Sequence, residues 1–302
     1  MTRHASLTAS AAIGVLITGI AVASPAIAAQ INLGGYVGPV AIKFNSYESF
    51  IDSSGNLTTT LAVGDQNFGA FNITSITAET TGKTIWTASP SNGFLVGLFN
   101  DITVSRITPL GPAFVTGNTG GQFAIYNLPY SSFPTLTQGT NGYLAGGCTH
   151  FNTLCYNTLT NVAGHTAPVL TMDLVPGADT TNPAETLAAL ASTTTIPTSG
   201  AALGWMDITG GTDASQFGKG GFTTAIGTAA DMSLFDDFCP NPIGKGAPAC
   251  GGTTIPIGNW QQLNFDPVGA EAIPEPVSLG LLGTALMGMG VAGWRRRRRG
   301  ER

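Results

Sequence analysis

Cysteine, histidine and carboxylate side chains are the groups through which this chain could do chemistry, and they are few and scattered. His150 lies between Cys148 and Cys155, which places an imidazole base near two thiols. A thiolate beside a base is an activated nucleophile, but two cysteines flanking one short segment also suit a disulfide-closed loop. The loop is the stronger reading, and Cys239 and Cys250 repeat it around a stretch rich in Gly and Pro. Four cysteines allow three connectivities, of which 148 with 155 and 239 with 250 is the simplest. Structural zinc needs short-spaced ligand pairs, and neither cysteine pair has that spacing. His165 has no local partner and reads as a loop histidine.

Paired carboxylates about 5 to 9 Å apart could hydrolyse glycosides. Glu48, Glu79, Glu185 and Glu271 are available, yet nothing in the sequence gathers them into one cleft. Calcium takes clustered oxygen ligands, and weak sites suffice outside the cell. The stretch from Asp207 to Asp213, with its Gly210-Gly211, and the run Asp231, Asp236 and Asp237 are the candidates, with Asx-type turns as the competing account. No cofactor is expected beyond that weak case for Ca2+. Trp86, Trp205, Trp260, Tyr126, Tyr130 and Tyr143 could stack on sugar rings or sit half-buried in a core. Trp86 and Trp260 lie in strand-like context and read as core, whereas Tyr130 and Tyr143 lie in loops. The nucleophile elbow, the zinc helix, the phosphate loop and the dinucleotide fingerprint are all absent, so no enzyme is expected.

More informative than any of these groups are the two ends. Thr2, Arg3 and His4 precede an apolar run from Ala5 to Ala23, the composition of a signal-peptide core. Ala26 and Ala28 then put small residues at the −3 and −1 positions of a signal-peptidase site, with cleavage expected after Ala28. At the other end Ile273-Pro274-Glu275-Pro276 leads into Val277 to Trp294, eighteen residues without charge, and then into Arg295, Arg296, Arg297, Arg298 and Arg299. That length is about the minimum for a transmembrane helix, since a ~30 Å bilayer core needs roughly 20 helical residues. Arginines held on the cytoplasmic side orient the preceding chain outward. Gly280, Thr284, Gly288 and Ala292 recur every four residues and offer a face for close helix packing.

This order of Pro-Glu-Pro, short Gly-rich apolar helix and terminal arginine cluster resembles the PEP-CTERM sorting domain of exopolysaccharide-producing Gram-negative bacteria. The resemblance covers about the last thirty residues. It implies an exosortase, an integral-membrane transpeptidase-like enzyme, as processing partner, with Pro274, Glu275 and Pro276 as recognition residues and no catalytic role. A looser resemblance, carried by Val63 to Gly69 and Gly93 to Phe99, is to secreted PEP-CTERM proteins linked to flocculation.

Residues 29–272 form the intervening domain, long enough for a substantial core. Five basic residues against fifteen acidic ones give it a net charge of −10, which the arginine tail partly hides in the whole-chain value of −5. An acidic surface repels phosphate backbones, so nucleic acid is excluded as a partner. Thr, Gly, Ser and Asn abound; β-branched Thr fits a pleated sheet, and Gly and Asn supply turns. Short strands are expected over Val40–Phe44, Leu57–Val63, Phe68–Thr77, Thr84–Thr87, Phe94–Phe99, Ile102–Ile107, Gln122–Asn127, Gly221–Gly227 and Ile255–Phe265. Phe68, Phe71, Ile73 and Ile76 break strict alternation, which predicts a bulge. Asn182 as N-cap, Pro183 at N1 and Glu185 at N3 predict one short helix through Ala191, packing Leu187 and Leu190 onto the sheet.

The expected architecture is therefore all-β, a β-sandwich or jelly-roll-like ectodomain with one short helix, between an N-terminal signal helix and a C-terminal membrane helix. The expected function is that of an exported structural or adhesive protein, held briefly in the inner membrane and then sorted to the cell surface or the exopolysaccharide-rich biofilm matrix. A secreted carbohydrate-binding module is the leading alternative, and a secreted hydrolase follows it.

Overall fold

The computed structural model describes residues 31–128, 167–196, 198–240 and 262–272. Twelve strands and a single three-residue 3-10 turn, Ala214–Gln216, make up the regular structure of these residues. In chain order the strands are β1 (Gly38–Ile51), β2 (Gln66–Ala78), β3 (Thr84–Thr87), β4 (Phe94–Leu110), β5 (Ala113–Leu128), β6 (Leu170–Leu174), β7 (Leu187–Ala191), β8 (Gly200–Gly210), β9 (Phe222–Thr223), β10 (Ala229–Ala230), β11 (Met232–Pro240) and β12 (Gln262–Ala272). All pairings are antiparallel.

The sheet runs β1-β12-β11-β8-β6-β5-β4-β2, and β2 pairs back onto β1, so eight strands close into a barrel. Closure removes exposed edges, the main aggregation hazard of an all-β chain. An eight-stranded barrel is just wide enough to be filled by side chains or to hold one small ligand. The fold is all-β as expected, but the strands close on themselves where a sandwich or jelly roll of two facing sheets was expected. Neither arrangement could be told from strand spacing, because both need the same alternating strands and differ only in whether the first strand meets the second across the last.

Two local devices shape the barrel interior. Thr74 is skipped in the register with β1, where Lys43 pairs with Ser75 and Phe44 with Ile73. This is the predicted bulge, and it lets Ile73 and Ile76 both turn inward. On β4 and β5, Asp101, Gly120 and Gly121 have φ of 59°, 74° and 111° at a point where the two strands remain in register. In a regular strand, residues three apart face opposite sides; here Phe99 and Ile102 both face the interior. A Cβ on Gly120 would run into the Asp101 carbonyl oxygen, so the reversal requires glycine there.

The helix expected from Asn182 to Ala191 is absent. Asn182 to Glu185 forms a turn closed by the Glu185 N–H donating to the Asn182 carbonyl at 2.9 Å, and Leu187–Ala191 is strand β7. Strand β7 fills a gap in the barrel wall, pairing with β5 on one side and β8 on the other. Five residues held in register on both sides outweigh a propensity advantage that amounts to a few tenths of a kcal/mol per residue. Leu187 faces inward, whereas Leu190 is 47% exposed and does not pack onto the sheet. Leu57–Val63 is likewise no strand, making only isolated bridges at Leu57 and Thr60.

Candidate functional site

One end of the barrel is filled. Ile31, Trp86 and Phe217 are each 1% exposed and join Leu33, Val169 and Leu170 in the main core. Phe217 bridges to Ala272 at the end of β12. The fully buried Asp213 anchors this plug by accepting the Ile31 N–H at 2.5 Å, while its own N–H donates to the Val169 carbonyl.

Above the plug the interior is open, with a cavity of about 100 Å³. On the same measure a single water needs about 10–15 Å³, so the space holds several waters or a small organic molecule. Its floor is aromatic. Phe71 lies edge-on to Phe44 with centroids 5.9 Å apart, and Phe99 stacks on Phe123 at 5.5 Å. Phe71 can lie flat against β4 because residue 97 is glycine; a Cβ there would overlap its ring. Met172, Met206 and Met232 complete this level, and such unbranched side chains adapt to irregular shapes.

Toward the other end the lining turns polar. Along β1 the inward row runs Ile42, Phe44, Ser46, Glu48, alternating as a strand must while its chemistry changes. Glu48, 7% exposed, accepts a 2.8 Å hydrogen bond from Asn67 Nδ2. Thr116, Asn118, Thr198 and Asp236 also line this level. Ser46 Oγ and Asn67 Oδ1 are buried with no hydrogen-bond partner. Each such atom costs about 1–3 kcal/mol of desolvation unless something supplies the missing bond.

A strap crosses this end. The β1–β2 connection meets the β7–β8 connection through Leu61 N–H to the Thr194 carbonyl at 2.8 Å and Ile196 N–H to the Thr59 carbonyl at 3.0 Å. These connections leave opposite sides of the ring, so the strap spans the mouth, and Leu61 and Ile196 roof the cavity.

No protein-family model, curated protein or solved structure matches this chain. Its site is therefore argued from its own geometry.

The groups singled out in the sequence end in different places. Of the glutamates, Glu48 enters the cavity and Glu79 is an exposed turn residue. Glu185 forms a two-pronged ion pair with Arg106, Nε to Oε1 at 2.8 Å and NH2 to Oε2 at 2.7 Å, and Arg106 also binds Asp179 at 2.6 Å. The hydrogen bond and charge of Glu185 raise the Arg106 pKa further above its ordinary value. Hydrogen bonds from Thr181, with Arg106 behind them, hold the Asp179 carboxyl below its usual range. This cluster pins the turn before β7 from outside the barrel, and it diverts Glu185 from the capping role expected of it.

The calcium candidates separate as well. Asp213 is in the plug, Asp236 lines the cavity, and Asp231 binds Lys219 Nζ at 2.9 Å while accepting from the Ile208 and Gly220 N–H groups. Burial pushes the Asp231 carboxyl up, but the Lys219 bond and the two backbone donors outweigh it and leave its pKa lowered. Among the described residues no three His, Cys, Asp or Glu side chains gather as a metal site.

Trp86 is core, as expected. Trp205 is 9% exposed and packs against Ala178 and Ala230, so it presents no open stacking face. Burial raises the Tyr126 phenol above its ordinary pKa. The signal segment with Ala26 and Ala28, the sorting motif Pro274, Glu275 and Pro276, the arginines 295–299, Cys148, Cys155, Cys250, His150, His165, Trp260, Tyr130 and Tyr143 lie outside the described residues, and so does the side chain of Cys239. Among the described residues no helix is long and apolar enough to cross a membrane.

The cavity was missed because the sequence reading ended the first strand at Phe44, where the apolar row stops. The strand in fact continues to Ile51, and every second residue from Ile42 to Phe50 faces inward, with Ser46 and Glu48 as the polar members of that row. An inward polar row on a continuing strand marks a cavity that a sandwich core would not tolerate.

Proposed function

We propose that this chain is an exported, non-enzymatic structural or adhesive protein of the cell surface or extracellular matrix, carried there by its C-terminal tail. A signal peptidase removes residues 1–28. Val277 to Trp294 then holds the precursor in the inner membrane until an exosortase acts near Pro274, Glu275 and Pro276. The observation that carries this reading is the tripartite tail, because Pro-Glu-Pro, an eighteen-residue uncharged run and five consecutive arginines occur in one fixed order. Eight strands closed into a barrel suit an exposed protein that must resist unfolding and self-association.

Intact mass of the mature protein from its native host, measured beside a host lacking the sorting enzyme, tests the proposal. Loss of residues 1–28 and of the segment beyond about Pro276, only where the enzyme is present, is expected. Replacing Pro274-Glu275-Pro276 or deleting Arg295 to Arg299 should leave unprocessed precursor. A mature protein that keeps its arginines in both hosts would overturn the sorting reading and leave a plain membrane-anchored domain.

A further inference from the structure

We propose that the barrel lumen binds a small uncharged aromatic alcohol of the phenol class, its ring among the phenylalanines and its hydroxyl at Ser46. Size sets the first limit. A cavity of about 100 Å³ is of the order of the roughly 150 Å³ apolar cavity that takes up benzene, so a single ring is the scale of ligand it admits.

The floor then favours an aromatic body over an aliphatic one. The Phe71 ring centroid lies 5.9 Å from that of Phe44, 6.5 Å from Phe99 and 6.2 Å from Phe123, and all four rings line the lumen. Aromatic pairs favour tilted and edge-to-face contacts at such separations, and a further ring extends the same pattern. Met172, Met206 and Met232 line the same space, and their thioether sulfurs make favourable contacts with a ring that an alkyl body does not receive.

Ser46 fixes the polar group. It is 3% exposed, lines the lumen, and its Oγ has no hydrogen-bond partner. It stands two residues beyond Phe44 on the inward row of β1 and directly opposite Phe71 on β2. Side chains so opposed have Cβ atoms about 5 Å apart. The unmet hydroxyl therefore borders the aromatic floor, and a ligand that meets both carries its polar group directly on the ring. A hydroxyl suits, because it can donate to Ser46 Oγ or accept from it. Asn67 Oδ1, also without a partner, lies opposite Phe50 and so nearer the strap, where it accepts from a second donor or a water at the ring's outer edge. The ligand makes no demand on Glu48, which accepts from the Asn67 amide. Both unmet atoms are neutral, and a charged ligand would have to shed its water in an apolar lumen to reach them, so the ligand is uncharged. Leu61 and Ile196 on the strap roof this level, and binding is independent of how the tail is sorted.

Calorimetric titration of the full-length chain with phenol, toluene, cyclohexanol, benzylamine and benzoate at neutral pH tests the assignment. Phenol and toluene match in heavy atoms, and a purely apolar cavity would prefer toluene because an unpaired hydroxyl is costly to bury. Saturable one-to-one binding of phenol is expected, at least as tight as that of toluene and about threefold or more tighter than that of cyclohexanol. Both charged ligands should bind more weakly than phenol. Ser46→Ala should weaken phenol about five- to tenfold and leave toluene unchanged. Ala189→Trp, which fills the lumen from its wall, should abolish binding of both. Tighter binding of toluene, cyclohexanol or a charged ligand than of phenol, phenol failing to saturate, or Ser46→Ala leaving its affinity intact would each overturn the assignment. The comparison of ligands on the unsubstituted chain decides the matter even if a variant does not fold.

Discussion

The two ends of the barrel solve opposite problems with the same strands. At the plugged end, chain segments outside the wall fold inward and fill the lumen with Ile31, Leu33, Phe217 and their neighbours. Under the strap the same wall carries Ser46, Glu48, Asn67 and Asp236 around empty space. Packing at interior density stabilises a fold, and every void or unmet polar group weakens it. The difference teaches that dense apolar packing is concentrated at one end of this molecule, which leaves the other free to keep a cavity.

The largest effect should come from the plug. Phe217→Ala removes a ring that is 1% exposed and leaves a cavity beside Ala272. A loss of about 3–5 kcal/mol is expected in denaturant unfolding, and a loss under 1 kcal/mol would mean the plug is not where the barrel is held together.

Acid should loosen the plugged end next. Asp231 sits near it, joining β11 to Ile208 of β8 and to Lys219. Its pKa in the fold is lowered from an unfolded value of about 3.9. The stability it contributes is therefore complete above that value and lost as pH falls through the lower folded one. Unfolding midpoints measured from pH 6 to pH 2 should decline below about pH 4, and Asp231→Asn should flatten part of that decline while lowering stability at neutral pH by about 1–3 kcal/mol.

The smallest effect should come from the open end. Ser46→Ala removes a buried hydroxyl that has no partner, so stability should stay within about 1 kcal/mol of the parent or rise. A loss of more than about 2 kcal/mol would show that the hydroxyl is bonded in solution, and the contrast between the two ends would fade.

Legibility in the sequence followed the range of the forces involved. Strand β3 was expected over the residues it occupies, Thr84–Thr87, and the bulge in β2 was visible in the spacing of Phe71, Ile73 and Ile76. Those features are set by side chains within a few residues of each other. The segment after Asn182 carried a sound local helix signal and became β7, because Arg106, some eighty residues earlier, takes Glu185 and two neighbouring strands take the backbone. The cavity was half legible: its apolar wall looked like core, and its polar row looked like the end of a strand.

The sequence by itself determined that the domain is rich in β-strand and that its middle is acidic while its last residues are basic, because composition, alternation and charge are local properties. Only the tertiary structure decided that β1 would pair with β12 as well as with β2, that residues as distant as Glu48, Asn118 and Asp236 would share one lumen, and which end would be filled. Barrel closure and cavity lining depend on register between strands as far apart in sequence as β1 and β12, where Gly38 pairs with Ala272. That register is set by the sum of many weak pairings, which no short window of sequence contains.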